Sequence, residues 1–261
     1  MPRQLRQIEV GEIYHVINRG VEKRQIFLKP QDYSRFVIGL EFFNQVASTD
    51  LWKLLANWND KTIDEIDALG GTVPPNVHTI PTVAERLIKQ RNEKKARMDY
   101  LVEILAFALM PNHIHLILRE IREGGTSAFM GKMGGYSTYF NKQYKRVGSL
   151  FQSRYKSIHV SSDYQLQTLF NYVHTNPVEL NEPDWKDFKV KDKKKAIKDL
   201  EKYRWSSYRD YIGLPTHPFV TQREFFHDTI GDYKDCRETV EGWVYEKAEL
   251  EGKEIDEIFG A

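Results

Sequence analysis

Apolar and polar positions divide the chain into alternating strand and helix signals. Residues 13–18 (IYHVIN) are β-rich and are closed by Arg19-Gly20, which predicts a strand and then a turn. Pro30 opens a helix to about Gln45, with Phe36, Val37, Leu40 and Phe43 or Phe42 on its apolar face. Residues 103–110 and 113–119 are nearly continuous apolar runs on either side of Pro111-Asn112, the pattern of a hairpin of central strands. Beyond Gly124-Gly125, Thr126 caps a helix to about Lys145, striped by Phe129, Met130, Met133, Tyr136, Phe140 and Tyr144. Residues 149–160 read as a further strand. Ser162 and Gln165 then stand at capping-box spacing ahead of Leu166, Leu169, Phe170 and Val173, an i, i+3, i+4, i+7 stripe that Pro177 stops. Residues 48–99, with a Gly-Gly-Thr-Val-Pro-Pro-Asn loop at 70–76, read as a helix-prone insertion. From Gln222 the pattern is helical.

The order strand, helix, strand, strand, helix, strand, helix is that of the split βαβ unit. It predicts an α+β, ferredoxin-like core: an antiparallel sheet with helices on one face. Residues 1–213 form one domain, interrupted by the insertion, and residues 214–261 a helical extension.

The single cysteine, Cys236, excludes a disulfide framework and a cysteine zinc cluster. No apolar run reaches the roughly 18 residues of a membrane helix, and the N-terminus has no apolar signal core, so the expected setting is cytoplasmic and away from membranes. The net charge of +1 argues at first against a polyanion partner. Residues 131–160, however, carry six basic residues (Lys132, Lys142, Lys145, Arg146, Arg154, Lys156) and no acid. Residues 224–261 carry twelve acids and four bases, a charge of −8. A solvated face is the usual meaning of a charge run. Here aromatics are interleaved with the cations, a composition that suits phosphates and unpaired bases.

His113 and His115 share one face of their strand, about 7 Å apart along it. Two imidazoles so placed can chelate a divalent ion, although such a pair in a core strand is more often structural. His15, His159 and His174 read as supporting residues. Tyr172 and Asn176, four residues apart, project from one face of their helix. A tyrosine at the flank of an apolar stripe usually packs at a core edge. Tyr136, Tyr139 and Tyr144 are rivals as nucleophiles by position in the basic stretch.

Five segments appear in order between about Val10 and Gly213: Asn18-Arg19-Gly20, MPNHIHLIL, YFNKQYKRVGSLFQSRYKS, NYVHTNPVEL and RWSSYRDYIG. Together they resemble the HUH-type single-tyrosine (IS200-like) transposases, most closely their REP-associated branch. The resemblance implies that Tyr172 is the nucleophile and that His113, His115 and Asn176 bind Mg²⁺ or Mn²⁺. It implies cleavage and rejoining of single-stranded DNA, hairpin or palindromic, through a 5′-phosphotyrosine. Arg19, Lys142, Lys145, Arg146, Arg154 and Lys156 would hold the DNA backbone. The REP-associated branch implies a monomer and other single-tyrosine transposases a homodimer. Two other classes remain open: a hairpin-binding protein that does not cut, and a metal-dependent phosphodiesterase that uses water. The insertion and the acidic extension depart from the family's compact pattern. The extension is expected either to solubilise the protein or to cover the basic surface.

Overall fold

The computed structural model describes residues 8–46, 99–187 and 189–246. The expected insertion therefore lies outside the described residues except for Asp99, as do residues 247–261 of the extension. Four strands, β1 (Ile13–Arg19), β2 (Val102–Met110), β3 (His113–Glu120) and β4 (Lys156–His159), form one sheet in the order β2-β3-β1-β4. Every neighbouring pair is antiparallel. This is the strand order of the split βαβ plan read from the sequence.

The helices of that plan are α1 (Pro30–Phe42) between β1 and β2, and α2 (Gly125–Met133) with α3 (Gly135–Gln143) between β3 and β4. They pack on one face of the sheet, where Val16, Phe107, Leu116 and Leu118 meet Phe36, Leu40, Phe129 and Tyr136. The expectation of helices on one face holds for this unit and not for the molecule. The other face carries Leu105, Ala106, Ala108 and Ile117 and is covered by α4 (Asp163–Thr175) and the helices after it. A bulge at Leu105 in β2 lets Leu105 and Ala106 both serve this second core. The near-continuous apolar runs of β2 and β3 have this cause: both faces are buried, so alternation is lost.

The second core also takes in α5 (Lys193–Lys202), α6 (Tyr208–Tyr211), α7 (Glu224–Thr229) and α8 (Tyr233–Glu246). Phe226, Cys236, Val240 and Val244 are fully buried in it, and Arg237 of α8 pairs with Glu201 of α5. The described part of the acidic extension is thus packed core, with its acids on the outside.

Two elements differ from the sequence pattern. The helix expected over 126–145 breaks into α2 and α3 at Gly134-Gly135, where each glycine costs about 1 kcal/mol of helix propensity. The strand expected over 149–160 is regular only from Lys156, because upstream the Asn18 side chain, not a ladder N–H, takes the Arg154 carbonyl at 2.7 Å. The cap of α4 is close to its prediction. Ser162 Oγ accepts from Gln165 N, and Gln165 Oε1 accepts from Ser161 N, one residue early for a regular box.

His217 fixes the segment after α6 by donating from Nε2 to Arg204 O at 2.9 Å. Asp210, whose carboxyl is raised by burial, accepts from the His217 backbone, and Arg204 and Arg209 add positive charge nearby. Burial lowers the imidazole to about 4. The folded state therefore takes up this proton later than the unfolded chain, whose histidine titrates near 6.5. Stability is complete above about 6.5 and falls toward 4 at up to about 1.4 kcal/mol per pH unit. Urea midpoints measured across that range should show the slope. His217→Gln, which keeps a donor, should flatten it; an unaltered slope would remove His217 as the cause.

Candidate active site

Residues directly opposed in an antiparallel ladder share a face. Arg19 opposes His113, Ile17 opposes His115, and His15 opposes Ile117. All six lie on the face covered by α4, while Ile114, Leu116 and Leu118 enter the first core. Lys156 opposes Ile17 from β4 and joins the same face.

The β2–β3 turn is held at its tip. Ile26 N and Phe27 N donate to Pro111 O at 2.7 and 3.2 Å, and Gly20 N donates to Asn112 O at 2.8 Å. The Asn112 side chain then works in two directions: its Nδ2 donates to Lys23 O at 3.2 Å, and its Oδ1 meets His113 Nδ1 at 2.6 Å. A carbonyl oxygen only accepts, so His113 carries its proton on Nδ1 and Nε2 is its acceptor nitrogen. His115 Nδ1 lies 2.9 Å from His15 Nε2, with the two rings stacked at 5.1 Å. With the proton of that bond on His115, its Nε2 is likewise the acceptor. The His113 and His115 ring centres are 4.8 Å apart at 86°.

Helix α4 brings Tyr172 over this face. Leu169, Phe170 and Val173 seat the helix in the second core, and the tyrosine ring stands edge-on to His115 at 5.4 Å and to His15 at 6.0 Å. Tyr172 is 7% exposed, more buried than its flanking position on the stripe suggests. Ala108, opposite His115 in the ladder, leaves room beside that ring as a small residue of this layer. Asn176 caps α4, and its Nδ2 donates to Tyr172 O at 3.2 Å, which makes Oδ1 its ligand-capable atom. Among the described residues no group of three or more His, Cys, Asp and Glu is placed to hold a metal.

The rival tyrosines lie in the first core with their hydroxyls engaged. Tyr136 donates to Ile26 O at 2.7 Å, Tyr139 to Asp32 Oδ1 at 2.8 Å and Tyr144 to Asp32 Oδ2 at 2.7 Å. Burial raises the Tyr136 and Tyr139 hydroxyls above their ordinary range. His174 is fully buried against Ser207 Oγ at 2.8 Å, and burial lowers it to about 3. His159 bonds Glu12 at the sheet edge. Both histidines have structural roles, in keeping with the sequence pattern.

The basic residues separate into groups. Arg19 and Lys156 lie on the His113 face. Arg154 is exposed just before β4. Lys142 is exposed at the end of α3, and Lys145 follows with a φ of 51°. Arg146 braces its own loop: its guanidinium donates to Asn141 Oδ1 at 2.9 Å and lies over Phe140. Lys132 reaches back to Gln45 O. The interleaved aromatics do not form the stacking platform their sequence suggested. Tyr136, Phe140, Phe151 and Tyr155 are buried, because helical spacing turns the first two toward the sheet. Asn112 and Asn18, which orient the site's neighbours, were missed as individuals; their place inside the quoted motifs was the available signal.

Residues 80–176, which include both histidines, Tyr172 and Asn176, match the family described as Transposase IS200 like. A solved REP-associated tyrosine transposase bound to a REP hairpin is 12% identical, with 84% of this chain and 90% of that chain covered at a TM-score of 0.44. No curated protein matches the chain. No helix among the described residues is long and apolar enough to cross a membrane.

Proposed function

We propose that this chain, a relative of the IS200-like transposases over residues 80–176, is a transposase that cleaves and rejoins single-stranded DNA with Tyr172 as nucleophile. The observation that carries the reading is the tyrosine ring set edge-on to His115 at 5.4 Å, on a helix seated over the two-histidine strand. The donor set fits a divalent ion: Nε2 of His113, Nε2 of His115 and Oδ1 of Asn176 would hold Mg²⁺ or Mn²⁺. Such an ion, when bound, polarises a phosphate oxygen and offsets charge that develops on it. Neutral ligands suit that task because they leave the ion's charge for the phosphate.

This chain's own residues do the rest. Asn112 fixes the tautomer of His113, and Asn112 and His15 hold the ring orientations of His113 and His115. Arg19 and Lys156 flank the pair and hold backbone phosphates on that face. Tyr172 Oη attacks phosphorus and loses its proton as the new P–O bond forms. The P–O3′ bond breaks and the departing oxygen takes a proton to become a 3′-OH. The 5′-phosphotyrosine conserves the bond for rejoining. A hairpin or palindromic strand is the proposed substrate, and the chain acts as a monomer or a homodimer.

The test is incubation with labelled single-stranded hairpin DNA and Mn²⁺, followed by a denaturing gel. A covalent protein–DNA adduct, lost on chelation, is expected. Cleaved DNA without an adduct would assign the nucleophile to water, and binding without cleavage would leave a hairpin-binding protein.

Lys142 and Lys145 carry a separate expectation. For single-stranded DNA, each phosphate that the protein no longer neutralises lowers the salt slope by about 0.7. Lys145→Asn, which tolerates the positive φ, combined with Lys142→Ala should reduce the slope by about 1.4. An unchanged slope would exclude both from the interface.

A further inference from the structure

On the sheet face opposite His113 and His115 lies a cavity of about 450 Å³. Its buried lining includes Phe36, Ile114, Met130 and Met133, and its rim includes the exposed Gly131 and Arg154. Its polar lining includes Ser127, Ser137, Ser149 and Gln152 toward solvent and Asn18 deeper in the wall, only 7% exposed. Its Nδ2 is committed to the Arg154 carbonyl at 2.7 Å, which fixes the amide plane. Its Oδ1 is buried and has no hydrogen-bond partner. A buried carbonyl oxygen held in one orientation without a donor is costly, and such groups are usually satisfied by something. We infer that this cavity receives one unpaired nucleobase of the bound strand, whose amino or ring N–H group donates to Asn18 Oδ1.

Three features favour a base. Small-molecule pockets run from about 300 to 1,000 Å³, so this one suits one or two rings. The apolar and thioether lining offers the faces that a flat ring requires. The cations nearby belong to the acid-free stretch of residues 131–160, so the strand brought here is a polyanion.

Position links the cavity to the proposed chemistry. Asn18 and Arg19 are successive on β1 and so face opposite sides of the sheet; Ile114, part of the lining, stands between His113 and His115. The cavity and the histidine pair are back to back on the same two strands. β4 is the edge strand beside them. A strand that rounds this edge passes Arg154 at the cavity rim and then Lys156 on the histidine face. One base anchored in the cavity would set which phosphate reaches Tyr172. The pocket is thus a specificity-determining subsite, and it rests on the single-stranded DNA reading above.

Gly131 supplies the test. A Cβ added there meets nothing within 4 Å, so Gly131→Leu is accommodated by the fold and adds apolar bulk at the cavity's rim. The probes are oligo-dA, oligo-dC, oligo-dT and an abasic deoxyribose-phosphate oligomer, each of about 12 nucleotides, with affinities read by fluorescence anisotropy. The wild-type protein should bind at least one base-bearing oligomer about tenfold more tightly than the abasic one. Gly131→Leu should reduce that ratio about fivefold or more, with affinity for the abasic oligomer unchanged. Asn18→Ala should act in the same direction. A ratio unaltered in Gly131→Leu, or no discrimination by the wild type, would overturn the pocket. Adduct formation on hairpin DNA, scored in parallel, separates the two claims. An adduct without base discrimination keeps the nucleophile and sinks the pocket; discrimination without an adduct does the reverse. Failure to bind any of the DNAs would sink both.

Discussion

Tyr172→Phe is expected to eliminate the covalent protein–DNA adduct and to lower strand cleavage by at least about 10³-fold, the scale seen when a nucleophile is removed. The protein should remain folded. Phenylalanine keeps the ring that stands edge-on to His115 and His15 and keeps its place beside Leu169 and Val173 in the second core. Only a hydroxyl is lost, so the stability cost should stay within about 1 kcal/mol. That separation makes the variant informative: equal urea midpoints with the adduct gone assign the chemistry to Oη. Cleaved product that persists in Tyr172→Phe would transfer the nucleophile to water. An adduct that persists would point to another tyrosine, and Tyr136, Tyr139 and Tyr144 are poor substitutes. Their hydroxyls donate to Ile26 O and to the two oxygens of Asp32, on the far side of the sheet.

Much of this arrangement was legible because it depends on local periodicity. The strand order follows from the order of strand and helix signals, and the shared face of His113 and His115 follows from the two-residue repeat of a strand. The Ser162 cap and the i, i+3, i+4, i+7 stripe placed α4 well enough to pair Tyr172 with Asn176. What stayed hidden depends on long-range packing. The second helical layer was missed because β2 and β3 read only as buried, and burial on both faces does not say which later segment covers the second one. The acidic extension read as a solubilising tail or a cover for the basic surface, because its acids stand out more than its apolar residues. Yet Cys236, Val240 and Val244, at helical spacing, are enough to seat α8. Asn18 illustrates the limit most clearly. It is the next-to-last residue of β1 and stands inside a quoted motif, but its individual importance lies in a bond to Arg154 O across 136 residues.

The same long-range logic gives Asp32 a large effect on stability. Asp32 stands in the first turn of α1 and is fully buried. Its Oδ2 accepts from Leu28 N at 2.9 Å, Lys29 N at 3.2 Å and Tyr144 Oη at 2.7 Å, and its Oδ1 accepts from Tyr139 Oη at 2.8 Å. The helix N-terminus favours a negative charge at this point. Removal of the carboxylate strands two buried hydroxyls and two backbone donors at once. Asp32→Ala should therefore cost about 3–5 kcal/mol, a large share of the roughly 5–15 kcal/mol that holds a domain together. Asp32→Asn should cost less, because its amide keeps one acceptor oxygen. A double-mutant cycle identifies the cause. Tyr139→Phe and Tyr144→Phe should each cost about 1 kcal/mol in the wild-type protein and little in the Asp32→Ala background, because the shared acceptor is already gone. The effect should also reach the DNA. Tyr144 immediately precedes the loop of Lys145 and Arg146, and its bond to Asp32 is one of the ties that fix that loop to the body of the protein. At a temperature where Asp32→Asn is still folded, its affinity for single-stranded DNA should fall, while adduct formation at saturating DNA persists. If Asp32→Ala shifts the urea midpoint by the equivalent of less than about 1 kcal/mol, the cluster is not the clamp described.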